Sequence, residues 1–417
     1  MSTSPGELRR HLGVFDAVVI GLGSMVGAGV FAAMAPAAAA TGSGLLVGLA
    51  LAGVVAYCNA TSSARLAARY PQSGGTYVYG RERLGAFWGY LAGWAFVVGK
   101  TASCAAMALT VGSYVWPAQA HAVAVAAVVA LTAVDYVGVQ KAARLTRAIV
   151  AVVLAVLAAV VTACLAGGRA DTGRWAVGTD AGFHGVLQAA GLLFFAFAGY
   201  ARIATLGEEV RDPRRTIPRA IPLALGITMV VYTAVALAAL AVLGPERLAH
   251  SGAPLADAAR AAGAPGLVPV VRAGAAVAAL GSLLALILGV SRTTLAMARD
   301  RHLPRALAAV HPRFGVPHRA ELAVGAVVAV VAAVGDVRGA IGFSSFGVLA
   351  YYAVANASAW TLTPAEGRPP RLVPIVGTAG CLALAFALPA DSVLRGATVL
   401  ALGAAAYGVR QGLARRA

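Results

Sequence analysis

Charge is what this sequence has least of. Only 12% of its 417 residues are Asp, Glu, Lys or Arg, where roughly a quarter is usual for soluble globular domains. With 60% hydrophobic residues and a mean hydropathy of +0.80, that scarcity excludes a water-soluble protein. Cysteine is scarce too. Cys58, Cys104, Cys164 and Cys381 lie within or at the ends of apolar stretches without metal-type spacing, so they read as small hydrophobes rather than disulfides or ligands. His11, His121, His184, His250, His302, His311 and His318 all fall in loops or at helix ends. No HExxH, nucleophile elbow or P-loop pattern occurs. Nothing supports a membrane enzyme, a metal or a cofactor, and the lack of charged pore rings argues against a channel. There is no soluble module or long low-complexity linker, so residues 1–417 read as one membrane domain. No cleavable signal peptide is apparent at Met1–Pro5 or around Arg9 and Arg10, and the first apolar run is expected to stay as a membrane helix.

What is abundant is long apolar sequence. Twelve segments are predicted to cross ~30 Å of hydrocarbon, at 14–35, 44–64, 86–116, 121–138, 148–166, 183–206, 220–243, 267–297, 322–335, 340–362, 372–389 and 394–410. The net charge of +17 follows their alternation. Of 33 Lys and Arg, 24 fall on one set of alternate connections and seven on the other, with Lys100 and Arg202 left inside apolar segments. Such a skew is the positive-inside pattern of an even number of spans with both termini cytoplasmic. The basicity therefore reports topology and anionic lipid, not nucleic acid.

Two of the segments are interrupted by glycine in corresponding places. The first carries Gly21-Leu22-Gly23-Ser24-Met25-Val26-Gly27-Ala28-Gly29-Val30-Phe31, and the sixth carries Phe194-Phe195-Ala196-Phe197-Ala198-Gly199-Tyr200. Glycine is a poor helix former, and opened backbone is tolerated inside a bilayer only where protein or a water-filled cavity satisfies it. Paired breaks in two halves of a chain point to a transporter's substrate site. The competing reading is that the glycines simply let helices pack closely.

Three connections add chemistry of their own: Tyr70-Pro71-Gln72-Ser73-Gly74-Gly75-Thr76-Tyr77-Val78-Tyr79, Gly207 through Arg219, and Ser291 through Pro304. With them the chain resembles the amino acid–polyamine–organocation superfamily of permeases, bacterial amino acid permeases in particular. Gly21–Phe31 looks like that family's first-helix glycine motif. Pro71, Gly74, Gly75 and Tyr77 match its Pro-x-Ser-Gly-Gly-x-Tyr turn. Phe195 through Pro218 resembles its sixth-helix motif with Glu-Glu-Val, and Met297-Ala298-Arg299-Asp300 with Leu303-Pro304 matches the motif after helix eight. The matches keep family order over roughly residues 10–320.

The resemblance implies an all-α membrane fold of twelve helices with a five-plus-five inverted repeat. Helices 1–5 would span roughly 12–166 and helices 6–10 roughly 183–362, with peripheral helices 11–12 at roughly 372–410. It implies alternating access around unwound helices 1 and 6. Freed N–H groups of Gly27, Ala28 and Gly29 would hold a substrate carboxylate. Freed carbonyls of Met25 and Val26, with Phe197 and Ala198 beside the Gly199 break, would accept the α-ammonium. Phe195, Phe197 and Tyr200 would border the side-chain pocket or gate it. A family-type sodium site would use the carbonyls of Gly23 and Val26 with a helix-eight hydroxyl. Ser282 is the obvious mid-helix candidate, so that site looks underprovided.

Lys100 lies about 20 Å into the third segment at ~1.5 Å per residue, too deep for easy snorkelling. A charge there is costly and marks a functional group facing the interior. Two readings stand. Lys100 exchanges a proton and supplies a positive charge where sodium-coupled relatives bind a cation, or it is a structural lysine bonded to freed helix carbonyls. The fifth-helix lysine of some proton-coupled relatives is missing; the counterpart is Val153. Arg202 is read as pairing with Glu208 or Asp16. Because Asp16 and Asp135 lie toward helix ends, the central segments hold no carboxylate, and a cationic side chain would lack a counter-ion. The reading is a secondary transporter of neutral L-amino acids coupled to protons, with an anionic amino acid as the second choice. An uncoupled exchanger or facilitator and a non-transporting nutrient sensor are the other classes kept open.

Overall fold

The computed structural model describes residues 12–70, 74–138, 143–176, 178, 182–204 and 210–414. Pro71 of the first connection and Glu208 and Glu209 of the second lie outside these. Among the described residues there is no β-strand; a single parallel bridge joins Leu12 to Val210.

The first apolar segment is not one helix but α1 (Val14–Met25), α2 (Ala28–Ala32) and α3 (Met34–Thr41). Next come α4 (Leu45–Arg69), α5 (Thr76–Leu84), α6 (Ala86–Val115), α7 (Ala120–Tyr136) and α8 (Ala143–Ala166). The sixth segment is α9 (Phe183–Phe197), a 3-10 turn at Ala198–Tyr200 and α10 (Ala201–Ala204). The remainder is α11 (Pro213–His250), α12 (Pro254–Ala261), α13 (Val268–Arg299), α14 (His318–Val334), α15 (Val337–Trp360), α16 (Leu372–Ala387) and α17 (Ala390–Ala414).

Among the described residues, ten helical stretches are long and apolar enough to cross a membrane, and Leu372–Ala387 is a shorter apolar helix. The ninth expected span is also short, the 17-residue α14. The segments were read from hydropathy, and the helices overrun them where polar residues continue a turn. Thus α4 runs to Arg69, five residues past the expected end at 64, and α11 covers Pro213–His250 where 220–243 was expected. Pro213 starts α11 at the first helical position, where a proline's missing N–H costs nothing. Gly244 (φ 71°) then kinks that helix next to Pro245. The turn before α5 is built as its paired glycines require, with Gly74 at φ 129° and Gly75 at φ 56°.

Burial separates inner from outer helices. In the most apolar stretches of α6 and α15, 78% of residues are buried, against 17% for α7 and α17. The broken segments belong with the inner set, at 67% for the first and 72% for the sixth. An apolar helix that leaves most of its surface uncovered has hydrocarbon as its natural neighbour. All four cysteines are buried and free.

Candidate functional site

At the first break Val26 turns out of helical geometry (ψ 53°) and Gly27 follows with φ −108°, ψ −139°. Two carbonyls released there, those of Met25 and Gly23, are already taken. Met25 O accepts the Gly27 N–H at 2.8 Å and faces the Tyr232 hydroxyl at 2.5 Å. That same hydroxyl is 2.9 Å from the Ala196 carbonyl, so one fully buried tyrosine of α11 bridges both broken segments. Ser282 Oγ donates to the Gly23 carbonyl at 3.2 Å. The hydroxyl also crowds Gly27: a Cβ there would lie 3.0 Å from Ser282 Cβ. A Cβ on Gly29 would lie 2.6 Å from Ala196 Cα. At both glycines the missing side chain is what lets the neighbouring helix approach.

The second break meets the first back to back. A Cβ on Gly199 would strike the Ser24 carbonyl and lie 2.7 Å from Met25 N. Here a carbonyl remains open to side chains. Ala198 O accepts Lys100 Nζ–H and the Tyr352 hydroxyl, each at 3.4 Å. Phe197 packs against the Tyr232 ring at 5.1 Å, and Tyr200 stacks on Tyr352 at 5.1 Å.

A cavity of about 200 Å³ opens beside this second break. Of the residues picked out from sequence, Phe195, Ala198, Gly199, Lys100 and Ser282 line it, as does Ser24 of the first break. Met25, Val26, Gly27, Ala28, Gly29, Phe197 and Tyr200 are buried behind that lining. Met107 stands between: it lines the cavity and packs against the small apolar cluster that contains Ala28. The sequence reading missed a wall of α6, Phe96, Ser103 and Met107, that shares a face with Lys100 at spacings of three and four. Lys100 itself was the signal that could have found it. It also missed the facing α13 wall from Ala285 to Ala296 and Tyr351 of α15. Three cations line the cavity, Lys100, Arg202 and Arg292, and among the described residues no carboxylate does. Asp16 meanwhile bonds Arg147 of α8 at 2.6 Å.

The two ends of the cavity differ. Two turns beyond Met107, the Tyr114 hydroxyl donates to the Phe31 carbonyl at 2.9 Å and accepts the Leu255 N–H at 3.3 Å, tying α2 and α12 together across one end. At the other end Gly74 reaches the lining, and the Thr76 N–H donates to the Tyr351 hydroxyl at 3.0 Å. Beside that mouth the first and third sequence motifs meet. The Tyr77 hydroxyl donates to Asp300, which also takes Arg81 at 3.1 Å. Tyr77 Oη is 2.9 Å from His302 Nδ1. The hydroxyl's one proton faces the carboxylate, so Nδ1 supplies the proton of the second bond. Burial holds the His302 ring below its ordinary pKa; Asp300 opposes this, and Arg410 and Arg81 add to it. Burial, with the Asp300 charge, pushes the Tyr77 hydroxyl well up.

Known proteins share this sequence. A Mycobacterium tuberculosis protein described as an uncharacterized transporter is 76% identical over 413 residues, covering 99% of this chain and 94% of that protein. The methylthioribose transporter of Bacillus subtilis is 28% identical over 433 residues, covering 96% of this chain and 93% of its own. The human cationic amino acid transporter 4 is 29% identical over 398 residues, covering 88% and 62% respectively. These are transporters rather than enzymes, and their names differ in substrate. The family model described as amino acid permease matches residues 16–366. With its apolar helices, paired breaks and the cavity beside them, this multi-pass membrane protein belongs to the amino acid permease family.

Proposed function

We propose that the protein is a secondary transporter that moves neutral L-amino acids across the cytoplasmic membrane by alternating access, coupled to protons. The reading takes the chain as twelve crossings with both termini cytoplasmic and helices 1–5 and 6–10 as inverted repeats. The observation that carries it is the cavity beside the second break, whose lining includes three cations and no described carboxylate. A lysine or arginine side chain would be desolvated there without a counter-ion. A volume of about 200 Å³ is below the ~300–1,000 Å³ of sites for drug-sized ligands and suits a small metabolite.

Substrate binding follows from the backbone. The α-ammonium takes the Ala198 carbonyl, and the carboxylate takes N–H groups of Gly27, Ala28 and Gly29 once Ser282 and Met107 withdraw from in front of them. Lys100 is the coupling group. Its grip on Ala198 O ties its protonation to the shape of the second break. The Ser282–Gly23 bond engages two of the groups a sodium ion would otherwise use, which supports protons over sodium. An anionic amino acid is the second reading, resting on the same three cations.

Uptake into proteoliposomes under an imposed pH gradient tests this. Neutral amino acids should enter faster than glutamate, lysine or methylthioribose, and collapsing the gradient should slow them. Faster lysine uptake would overturn the substrate reading; indifference to the gradient would favour an exchanger or facilitator. A purified protein that binds amino acids but transports none would be a sensor.

A further inference from the structure

The Ala198 carbonyl is approached by two side chains from two helices. Lys100 reaches it from α6 and Tyr352 from α15, each at 3.4 Å. Both distances exceed the ~2.7–3.2 Å of a well-made N–H···O or O–H···O bond, so the carbonyl is shared between donors and fully held by neither. Lys100 forms no ion pair with a described carboxylate. A neutral amine needs that acceptor far less than an ammonium does, whereas a buried carbonyl at a helix break needs a donor in either case.

We infer that Tyr352 is a positioning residue for proton coupling: its hydroxyl closes on the Ala198 carbonyl when Lys100 releases its proton into the cavity. The break then has a donor in both protonation states. This rests on the reading of Lys100 as the coupling group.

The tyrosine is built to stay where it is. It is 1% exposed. Its ring is stacked by Tyr200 at 5.1 Å and met edge-on by Phe194 at 5.8 Å and Tyr351 at 5.1 Å. One turn on, Asn356 Nδ2 donates to the Tyr352 backbone carbonyl at 3.0 Å and to Asn59 Oδ1 of α4 at 2.6 Å, fixing this part of α15. Only a small closure of the hydroxyl is required. The other groups around Lys100 are Cys104 one turn along α6, with Asp135 of α7 beyond it. Tyr351 of α15, Arg202 of α10 and Arg292 of α13 share the cavity with Lys100, and Tyr200 lies behind Tyr352. Lys100 and Tyr352 are the side chains that bond Ala198 O, so the competition considered lies between them.

The experiment is the pH profile of initial uptake rate in proteoliposomes carrying wild type, Tyr352→Phe, Lys100→Met and the double variant. Phenylalanine keeps the ring and removes the donor. Loss of the proton from Lys100 then leaves the carbonyl without a side-chain donor, the proton-loaded form is favoured, and the alkaline limb moves up by about one pH unit, the equivalent of one ordinary hydrogen bond. Lys100→Met should flatten the profile, and the double variant should match it. Asn59→Ala, which loosens the backing but keeps the hydroxyl, should lower the melting temperature and leave the profile in place. A Tyr352→Phe profile that superimposes on wild type, while Lys100→Met is flat, overturns the role of Tyr352 alone. A wild-type profile for Lys100→Met overturns the coupling reading, and this inference with it. If Tyr352→Phe yields no folded carrier, Tyr352→Met stands in: it too removes the donor and should shift the limb upward, and an unshifted limb contradicts the inference.

Discussion

The two breaks look alike in sequence and are opposite in structure. Each opens a membrane helix at glycine, and the glycines of both serve first to let backbones touch: Gly29 against Ala196, Gly199 against Ser24 and Met25. Beyond that they diverge. The first break is sealed, with its carbonyls held by Tyr232 and Ser282 and its Gly27–Gly29 stretch buried. The second borders the cavity, with its Ala198 carbonyl facing two loosely held donors. Opened backbone alone does not make a site. The side chains opposite it decide whether the freed groups are already satisfied or available to something that comes and goes.

The largest effect should come from pushing the breaks apart. Gly199→Val puts branched carbon into the Ser24 carbonyl, where neither backbone can yield, and uptake should fall at least ~100-fold with a cost above the usual ~1–3 kcal/mol of overpacking. Uptake and thermal melting of the purified variant measure both. Lys100→Met should leave melting unchanged or raised, since a buried charge without a carboxylate is replaced by an apolar chain of similar length, yet flatten the pH dependence of uptake. Tyr232→Phe tests the sealed break. Removing a hydroxyl shared by two buried carbonyls should cost about 1–3 kcal/mol in chemical denaturation and leave the uptake pH profile where it was. Ser282→Ala should cost only about 1 kcal/mol; it should also ease access to Gly27 and lower the apparent KM.

The smallest effect concerns the mouth. Because His302 is held below its ordinary pKa, the contact between Tyr77, Asp300 and His302 favours the neutral ring. Its contribution is present above the ordinary histidine value of about 6.5 and is lost as pH falls below it. The ring is half-buried, so the difference should stay under about 1 kcal/mol after solvent screening. Melting at pH 5 against pH 7.5 should drop more for wild type than for His302→Gln.

Much of this was legible before any fold was known. Hydropathy marked a chain of many membrane helices, ten of them long and apolar enough to cross among the described residues; glycine spacing located both breaks, and the depth of Lys100 put it inside. What could not be read was which break faces the cavity. That depends on Tyr232, Ser282 and Tyr352, single polar residues in helices that are apolar nearly all round, where periodicity marks no inner face. Hydropathy also cut α4 and α11 short, because polar and charged residues can continue a helix beyond the apolar run. The meeting of Tyr77 with Asp300 and His302, more than two hundred residues away, was invisible for a different reason: nothing local specifies a contact between two distant connections.

Cysteine accessibility tests the central claim most directly. In a background with Cys58, Cys104, Cys164 and Cys381 replaced, Ala201→Cys, which follows the second break and lines the cavity, and Ala28→Cys each receive a small thiol reagent in membranes, with and without a neutral amino acid. The account expects Ala201→Cys to react and to be protected by the amino acid, while Ala28→Cys stays unreactive in the absence of substrate. Reaction at Ala28→Cys with none at Ala201→Cys, or labelling at 201 that substrate does not change, would contradict it.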